Sequence, residues 1–228
     1  MGEIWLLRHG QASLGAADYD QLSDLGQRQA KLAGRALAAR GVQVDRVICG
    51  SMRRHWQTAR GCLAGLGSEL EPIEDVGWNE YDHEDVLAVA RPDLADPTRI
   101  EAEVRDGEEL AQAFVRVFFT AVERWVGGEH DGDYVESWPA CRARVDGAMG
   151  RLEAGLAPGE VVLVCTSGGP VASASARLLG MPDDHVFRLV RALANGALTR
   201  VARVGPVLRL SSYNETAHLA EAGAVSHL

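Results

Sequence analysis

Arg8, His9 and Gly10 follow directly on an apolar run in the string IWLLRHGQ, an arrangement that suits an imidazole used as a nucleophile with a cation beside it. A ring nitrogen attacks phosphorus when it is neutral and fixed, and when cations neutralise the phosphoryl oxygens as charge shifts in the transition state. Arg8 meets the second demand, and Arg54, in the first turn of a helix-like stretch, meets it again. Guanidinium forks bind phosphate through paired hydrogen bonds, and their positive field holds a neighbouring imidazole neutral. A leaving alkoxide also needs a proton near neutral pH. Glu80, in WNEYDHE, is the candidate donor: beside a substrate phosphate and under Trp78 and Tyr81, its pKa would rise through burial and like charge. Asp82 is the nearest competitor. The bland reading is an exposed acidic loop made of Glu80, Asp82, Glu84 and Asp85.

The chain contains a second Arg-His pair, Arg54-His55, so the dipeptide alone says little and the setting must separate the two. Residues 4–7 read as a buried strand, whereas SMRRHWQTARGCLAGL reads as a helix. In open α/β sheets ligands sit beyond the carboxyl ends of the strands, which places His9 at the mouth of a site and lets Gly10 turn the chain there and admit a substrate. Further strands are expected at 44–49, 161–165, 197–204 and 207–210. A helix is expected over 25–40, capped by Ser23-Asp24 and closed by Gly41. Strand alternating with helix implies an α/β fold, a three-layer αβα sandwich around a mainly parallel sheet. Between residues 82 and 156 the pattern changes to helix after helix, firmest at 108–126 and 137–156, with a loop at 91–98 and a polar glycine-rich turn at 127–133. That stretch reads as a helical cap inserted into a single domain spanning 1–228.

A chain of 228 residues, 46% of them hydrophobic, hides roughly 70 to 75% of its unfolded surface and needs neither disulfide nor structural metal for stability. Its 23 basic and 32 acidic residues give a formal charge of −9, which argues against nucleic acid as a partner but not against a small phosphorylated ligand in a local basic pocket. Cys49, Cys62, Cys141 and Cys165 form no CxxC pair and lack clustered histidines for zinc. They read as buried thiols, with Cys49 and Cys165 at strand ends as the only candidates for reactivity. No signal-like amino terminus or membrane-length apolar run is present, so the expected location is cytoplasmic, with no membrane partner, no metal and no cofactor. Oligomeric state is left open, a homodimer included.

LLRHGQ, YDQLSDLGQRQA, CGSMRRHWQTA and WNEYDHE, in that order and spacing, resemble the histidine phosphatase superfamily, the phosphoglycerate mutase-like group. SYNETAHL is similar to the family's closing segment. By this resemblance His9 is the phosphate-accepting nucleophile, Arg8 and Arg54 clamp phosphate, and Glu80 protonates the leaving oxygen. Two positions depart from the family. Ser167, in CTSGG, stands where the resemblance implies a second histidine, and a serine hydroxyl donates a hydrogen bond without bringing charge. Gly168, Gly169 and Pro170 look like a helix start, with Pro170 at a favoured early position, and the backbone N–H groups of the glycines offer partial compensation. Gly15 replaces a phosphate-touching asparagine, with Gln11 and Ser13 as polar substitutes. His218 and His83 are the histidines considered as replacements for the missing imidazole, His218 reading rather as an anchor for the carboxyl-terminal segment and His83 as the entrance to the insertion.

Two rivals follow. Ser167 would serve an α/β-hydrolase triad with Asp183 or Asp184 and His218, although CTSGG is not GxSxG and Arg8, His9 and Arg54 would go unexplained. Alternatively, with serine at 167, the pocket would bind phosphate esters with little or no turnover. The preferred expectation is a metal-independent phosphomonoester hydrolase working through phosphohistidine at His9. A mutase must shield that intermediate from water in an enclosed pocket, a demand that nothing in the sequence demonstrates.

Overall fold

The computed structural model describes residues 2–13, 20–95, 97–105 and 108–227. Its sheet has six strands in the order β3-β2-β4-β1-β5-β6, comprising β1 (Glu3–Arg8), β2 (Arg46–Cys49), β3 (Ile73–Glu74), β4 (Val161–Thr166), β5 (Leu198–Val204) and β6 (Val207–Glu215). β1, β4, β2 and β3 run parallel, and β5 is antiparallel to both β1 and β6. The expected strands are present with shifted ends. β3 had no counterpart in the sequence reading, because its two residues are both exposed and leave no apolar signature.

Alternation along the strands sorts the core into two layers. Ile4, Leu6, Ile48, Val162 and Val164 face one way, against Val145, Ala148, Met149 and Leu152 of α5 (Trp138–Gly155) and Val171 and Ala174 of α6 (Gly168–Leu179). Trp5, Leu7, Val47, Cys49, Leu163 and Cys165 face the other, against Ala33 and Leu37 of α1 (Asp24–Ala39) and Ala59, Cys62 and Leu63 of α2 (Arg53–Leu66). The result is the three-layer α/β arrangement expected. Ser23 caps α1 by accepting from the Gly26 N–H at 3.1 Å, and Gly41, at φ 69°, turns the chain out of it.

Register decides what meets at the carboxyl ends. Arg8 pairs with Thr166 and Cys49 with Cys165, so the residues that follow β1, β4 and β2 emerge level along one edge. His9, Ser167 and Gly50 are those residues.

Contacts divide the chain into one unit of Met1–Glu80 with Arg144–Leu228 and another of Tyr81–Ala143. The sheet, its helices, α7 (Val186–Ala192) and α8 (Ala217–Ala220) belong to the first. The second holds α3 (His83–Ala90), α4 (Leu110–Val126) and the start of α5, and no strand among its described residues. Its centre is aromatic: Trp125 lies 4.8 Å from Tyr81 and 5.1 Å from Trp138 between ring centroids, and its indole N–H donates to the Glu136 carbonyl. The stretch read as a loop at 91–98 contains short 3₁₀ turns, Pro92–Ala95 and the start of Pro97–Glu103, with Arg91 bonded to Asp93 and Glu103. Among the described residues no helix is long and apolar enough to cross a membrane.

Candidate active site

His9 is the first residue beyond β1, and its backbone N–H donates to the Thr166 carbonyl at 2.7 Å, tying it to the end of β4. The ring is buried, and its Nδ1 lies 2.8 Å from the Gly10 carbonyl. A carbonyl only accepts, so Nδ1 carries the proton and Nε2 keeps its lone pair. Burial holds the imidazole pKa well below the ordinary 6.5, and the charges of Arg54, then Arg8, together with nearby His55, push it the same way. This ring is neutral, oriented and nucleophilic at one nitrogen. Gly10 has a packing reason besides the one expected: a Cβ there would come within 2.2 Å of the Gly26 carbonyl oxygen, so glycine lets the loop pass the first turn of α1.

Both arginines are buried within the same neighbourhood. Arg8 ends β1, and its Nη1 donates to the Leu193 carbonyl beyond α7. Arg54 lies in the first turn of α2 and donates from Nη1 to Asp20 at 2.7 Å. The other Asp20 oxygen accepts the Arg53 N–H, also at 2.7 Å, so Asp20 supplies the cap that Met52 lacks. Thr58, one turn on, accepts from the Gly10 N–H at 3.2 Å and donates to the Arg54 carbonyl at 2.7 Å. Gln57 accepts the Leu22 N–H at 2.7 Å. Asp20, Gln57 and Thr58 thus lock α2 to the loop beyond β1, which is how residues far apart in sequence come together. Their strings were read as motif, but nothing in a one-dimensional pattern assigns these partners.

Glu80 accepts from the Gly169 N–H in the first turn of α6 at 3.1 Å. The helix start at Gly168 is as expected, and one N–H considered for phosphate holds this carboxyl. Trp78 is fully buried in the sheet core. Asp82 caps α3, accepting from the Glu84 and Asp85 N–H groups.

Ser167 is fully buried at the N-cap of α6, yet its side chain makes no capping bond. Its Oγ lies 2.7 Å from Nε2 of His55. His55 is likewise fully buried, and its ring centroid is 6.0 Å from that of His9. Burial, then the Arg54 charge, lower its pKa from 6.5 to about 3. Nothing in the helical pattern around His55 marks it, because the hydroxyl it meets is 112 positions away.

The remaining candidates have partners of their own. Gln11 accepts from the Ser23 hydroxyl at 3.0 Å, and its N–H donates to Gln29 at 2.8 Å, fastening the loop to α1. The Ser13 N–H donates to the Gln21 carbonyl. Gly15 lies outside the described residues. His83 opens α3. Nε2 of His218 lies 3.0 Å from the Gly196 carbonyl, and Asp184 is placed beside His185, so Ser167 bonds His55 and not the His218 of the hydrolase rival. Cys49 and Cys165 are buried, and burial pushes the Cys49 thiol up to about 12 and the Cys165 thiol higher than its ordinary value too. Such thiols pack rather than react. Among the described residues no group of three or more His, Cys, Asp and Glu side chains is arranged to hold a metal ion.

A neutral histidine at a strand end feels the charges of two buried arginines and is backed by a six-stranded α/β sheet, an arrangement whose charge suits a compact anion. The chain matches the histidine phosphatase superfamily (branch 1) over residues 4–117 and 88–216, and it belongs to that family. It is 27% identical over 193 residues, covering 81% of this chain and 84% of its relative, to a 2,3-bisphosphoglycerate-dependent phosphoglycerate mutase of Mesorhizobium japonicum. Among solved structures it resembles mycobacterial glucosyl-3-phosphoglycerate phosphatase at TM-score 0.62 and 23% identity, over 94% of this chain and 99% of the other. It also resembles phosphoglycerate mutase from Bacillus anthracis at TM-score 0.63 and 14% identity, over 97% and 96%. At these identities the structural likenesses speak for the fold alone.

Proposed function

We propose that the protein is a metal-independent phosphomonoester hydrolase acting through phosphohistidine at His9. The observation that carries this reading is the His9 ring itself, with its proton held at Nδ1 by the Gly10 carbonyl and its charge suppressed by burial, Arg54 and Arg8. In this scheme Nε2 attacks phosphorus and the ester P–O bond breaks. Glu80 gives its proton to the leaving oxygen. Water then attacks the phosphohistidine, Glu80 takes the proton, and the P–N bond breaks to return the lone pair to Nε2. Arg8 and Arg54 stabilise the phosphoryl oxygens throughout, and Gln11 orders the loop that follows His9. The substrate is a small phosphorylated molecule; the net charge of −9 speaks against nucleic acid and anionic membranes alike. A cytoplasmic location belongs to the same proposal.

A panel of phosphorylated metabolites assayed with wild type and His9→Ala tests it, together with trapping of the phosphoenzyme. Phosphate release and label at residue 9 in wild type only are the expected results. Equal turnover by both proteins overturns the scheme. Bound phosphate with no turnover and no label would instead identify a binding module. A second reading, mutase, draws on the names of curated relatives. Interconversion of phosphoglycerates that requires 2,3-bisphosphoglycerate as primer, with little net phosphate release, would establish it in place of hydrolysis.

A further inference from the structure

We propose that His55 and Ser167 form one positioning unit, in which the imidazole reaching in from α2 fixes the Ser167 hydroxyl so that its proton is presented to a phosphoryl oxygen held beside His9. The inference rests on the phosphate reading of the site and adds to it a residue from outside the motif position where a histidine was expected.

The two side chains are fully buried and 2.7 Å apart, so the contact is held by the interior of the protein. Nδ1 of His55 is buried with no hydrogen-bond partner among the described residues. It faces Gly50, where a Cβ would stand only 2.3 Å from it; glycine at the end of β2 leaves room for the ring and gives it nothing to bond. An orphaned buried N–H is rarer and costlier than a bare acceptor. The proton therefore sits on Nε2, which donates to Ser167 Oγ. That polarity matters. The serine hydroxyl acts as acceptor toward His55 and keeps its own hydrogen for another partner.

The helix does not compete with His55 for the Ser167 oxygen. A serine at an N-cap ordinarily accepts from the N–H groups of the first turn, but Ser167 makes no such bond, and the Gly169 N–H goes to Glu80. What surrounds Ser167 is the candidate phosphate site. The preceding residue, Thr166, accepts the His9 N–H through its carbonyl. The following residue, Gly168, lies against Arg8, whose Nε would be 3.6 Å from a Cβ placed there. The opposite polarity would make Ser167 a nucleophile with His55 as its base, and it requires a proton on Nδ1, against Gly50, with no acceptor. A neutral His55, its pKa depressed by burial and Arg54, needs only the one ring proton that this arrangement employs.

Inorganic phosphate binding, turnover of an aryl phosphate and nitrogen-15 NMR of the histidine rings, measured on the whole protein, test the unit. Wild type is expected to show a slowly exchanging His55 Nε2–H whose signal moves when inorganic phosphate is added. Ser167→Ala should lower kcat/KM on the order of 10²-fold and lower the thermal midpoint as well, because it leaves the buried His55 Nε2–H without its acceptor. His55→Ala should cost a similar factor alone but add little in the Ser167→Ala background, since the two act through one hydroxyl. His55→Gln, whose amide N–H can reach the same oxygen, should recover part of the loss. Effects that multiply fully, a proton found on Nδ1, or a His55 signal indifferent to phosphate each overturn the inference. Should His55→Ala fail to fold, the NMR measurement on wild type and the Ser167→Ala turnover still decide it. Turnover that depends on His9 but is untouched by Ser167→Ala sinks the unit and leaves the hydrolase. Coupled phosphate binding without any turnover does the reverse.

Discussion

Arg8-His9 and Arg54-His55 are one dipeptide in two settings, a strand end and the first turn of a helix, and both histidines end up buried and neutral. Their proton placement differs. His9 directs its Nδ1 proton at the neighbouring Gly10 carbonyl and leaves Nε2 with its lone pair; His55 has no partner for Nδ1 among the described residues and directs Nε2 at a hydroxyl beyond the end of the adjacent strand β4. A strand end exposes the following carbonyl to its own side chain, whereas a helix keeps its carbonyls for later turns. On the proposed scheme the same side chain serves as nucleophile in one place and hydrogen-bond donor in the other, according to what each ring nitrogen meets.

The largest effect should separate the pair outright. His9→Ala is expected to lower turnover by about 10⁴- to 10⁶-fold, the scale seen when members of a covalent catalytic apparatus are removed, against the roughly hundredfold loss expected for His55→Ala. Aryl phosphate kinetics on the two variants measure the gap. Comparable losses would mean that the two histidines share one task. A smaller effect should come from moving the imidazole: the double variant His55→Ala, Ser167→His places a ring where the hydroxyl stands and empties the space it needs. It is expected to exceed Ser167→His alone by about tenfold, since overpacking a filled core site costs about 1–3 kcal/mol and one factor of ten is about 1.4 kcal/mol. Equal kinetics for the two would show that His55 does not occupy that volume.

Periodicity made the frame legible. Apolar runs gave β1, β2 and β4, and the caps of α1 were readable from Ser23 and Gly41, because burial and capping act on neighbours in sequence. His9, Arg8, Arg54 and Glu80 stood out through their types and their order in known motifs. His55 did not, because its significance depends on Gly50 making room for the ring and on Ser167 waiting at the far strand end, and no local pattern encodes either contact. Asp20 and Thr58 were hidden for the same reason: Asp20 caps a helix it does not belong to, and Thr58, within that helix, latches it to the Gly10 N–H far back in the chain.

Gly50 offers the next test of the contrast. In Gly50→Ala the added carbon would fall 2.3 Å from His55 Nδ1 and 2.7 Å from Asn79 Oδ1, so the ring must move off Ser167. Stability should fall by about 1–3 kcal/mol, and turnover should fall toward that of His55→Ala. Denaturant unfolding and kinetics on the variant check both. A loss of stability with unchanged turnover would leave His55 a packing residue and separate it from the chemistry.

The smallest effect concerns protonation. Folded His55 titrates at about 3, against 6.5 when unperturbed. Between those values the unfolded chain binds a proton at residue 55 that the native protein refuses, so native stability rises with pH through this window and is lost on acidification. The loss from this one group is about 1.4 kcal/mol between pH 8 and pH 5.5, with His9, also depressed, acting in the same direction. His55→Gln removes the His55 contribution and leaves those of His9, of His218, which burial also depresses, and of the carboxylates as they were. Its stability deficit at pH 8 should therefore shrink by about 1.4 kcal/mol at pH 5.5, read from chemical denaturation at the two pH values. A deficit independent of pH would mean that the native protein takes up a proton at His55. The ring would then be a cation beside Arg54, and the contrast with His9 would be one of charge rather than of proton placement.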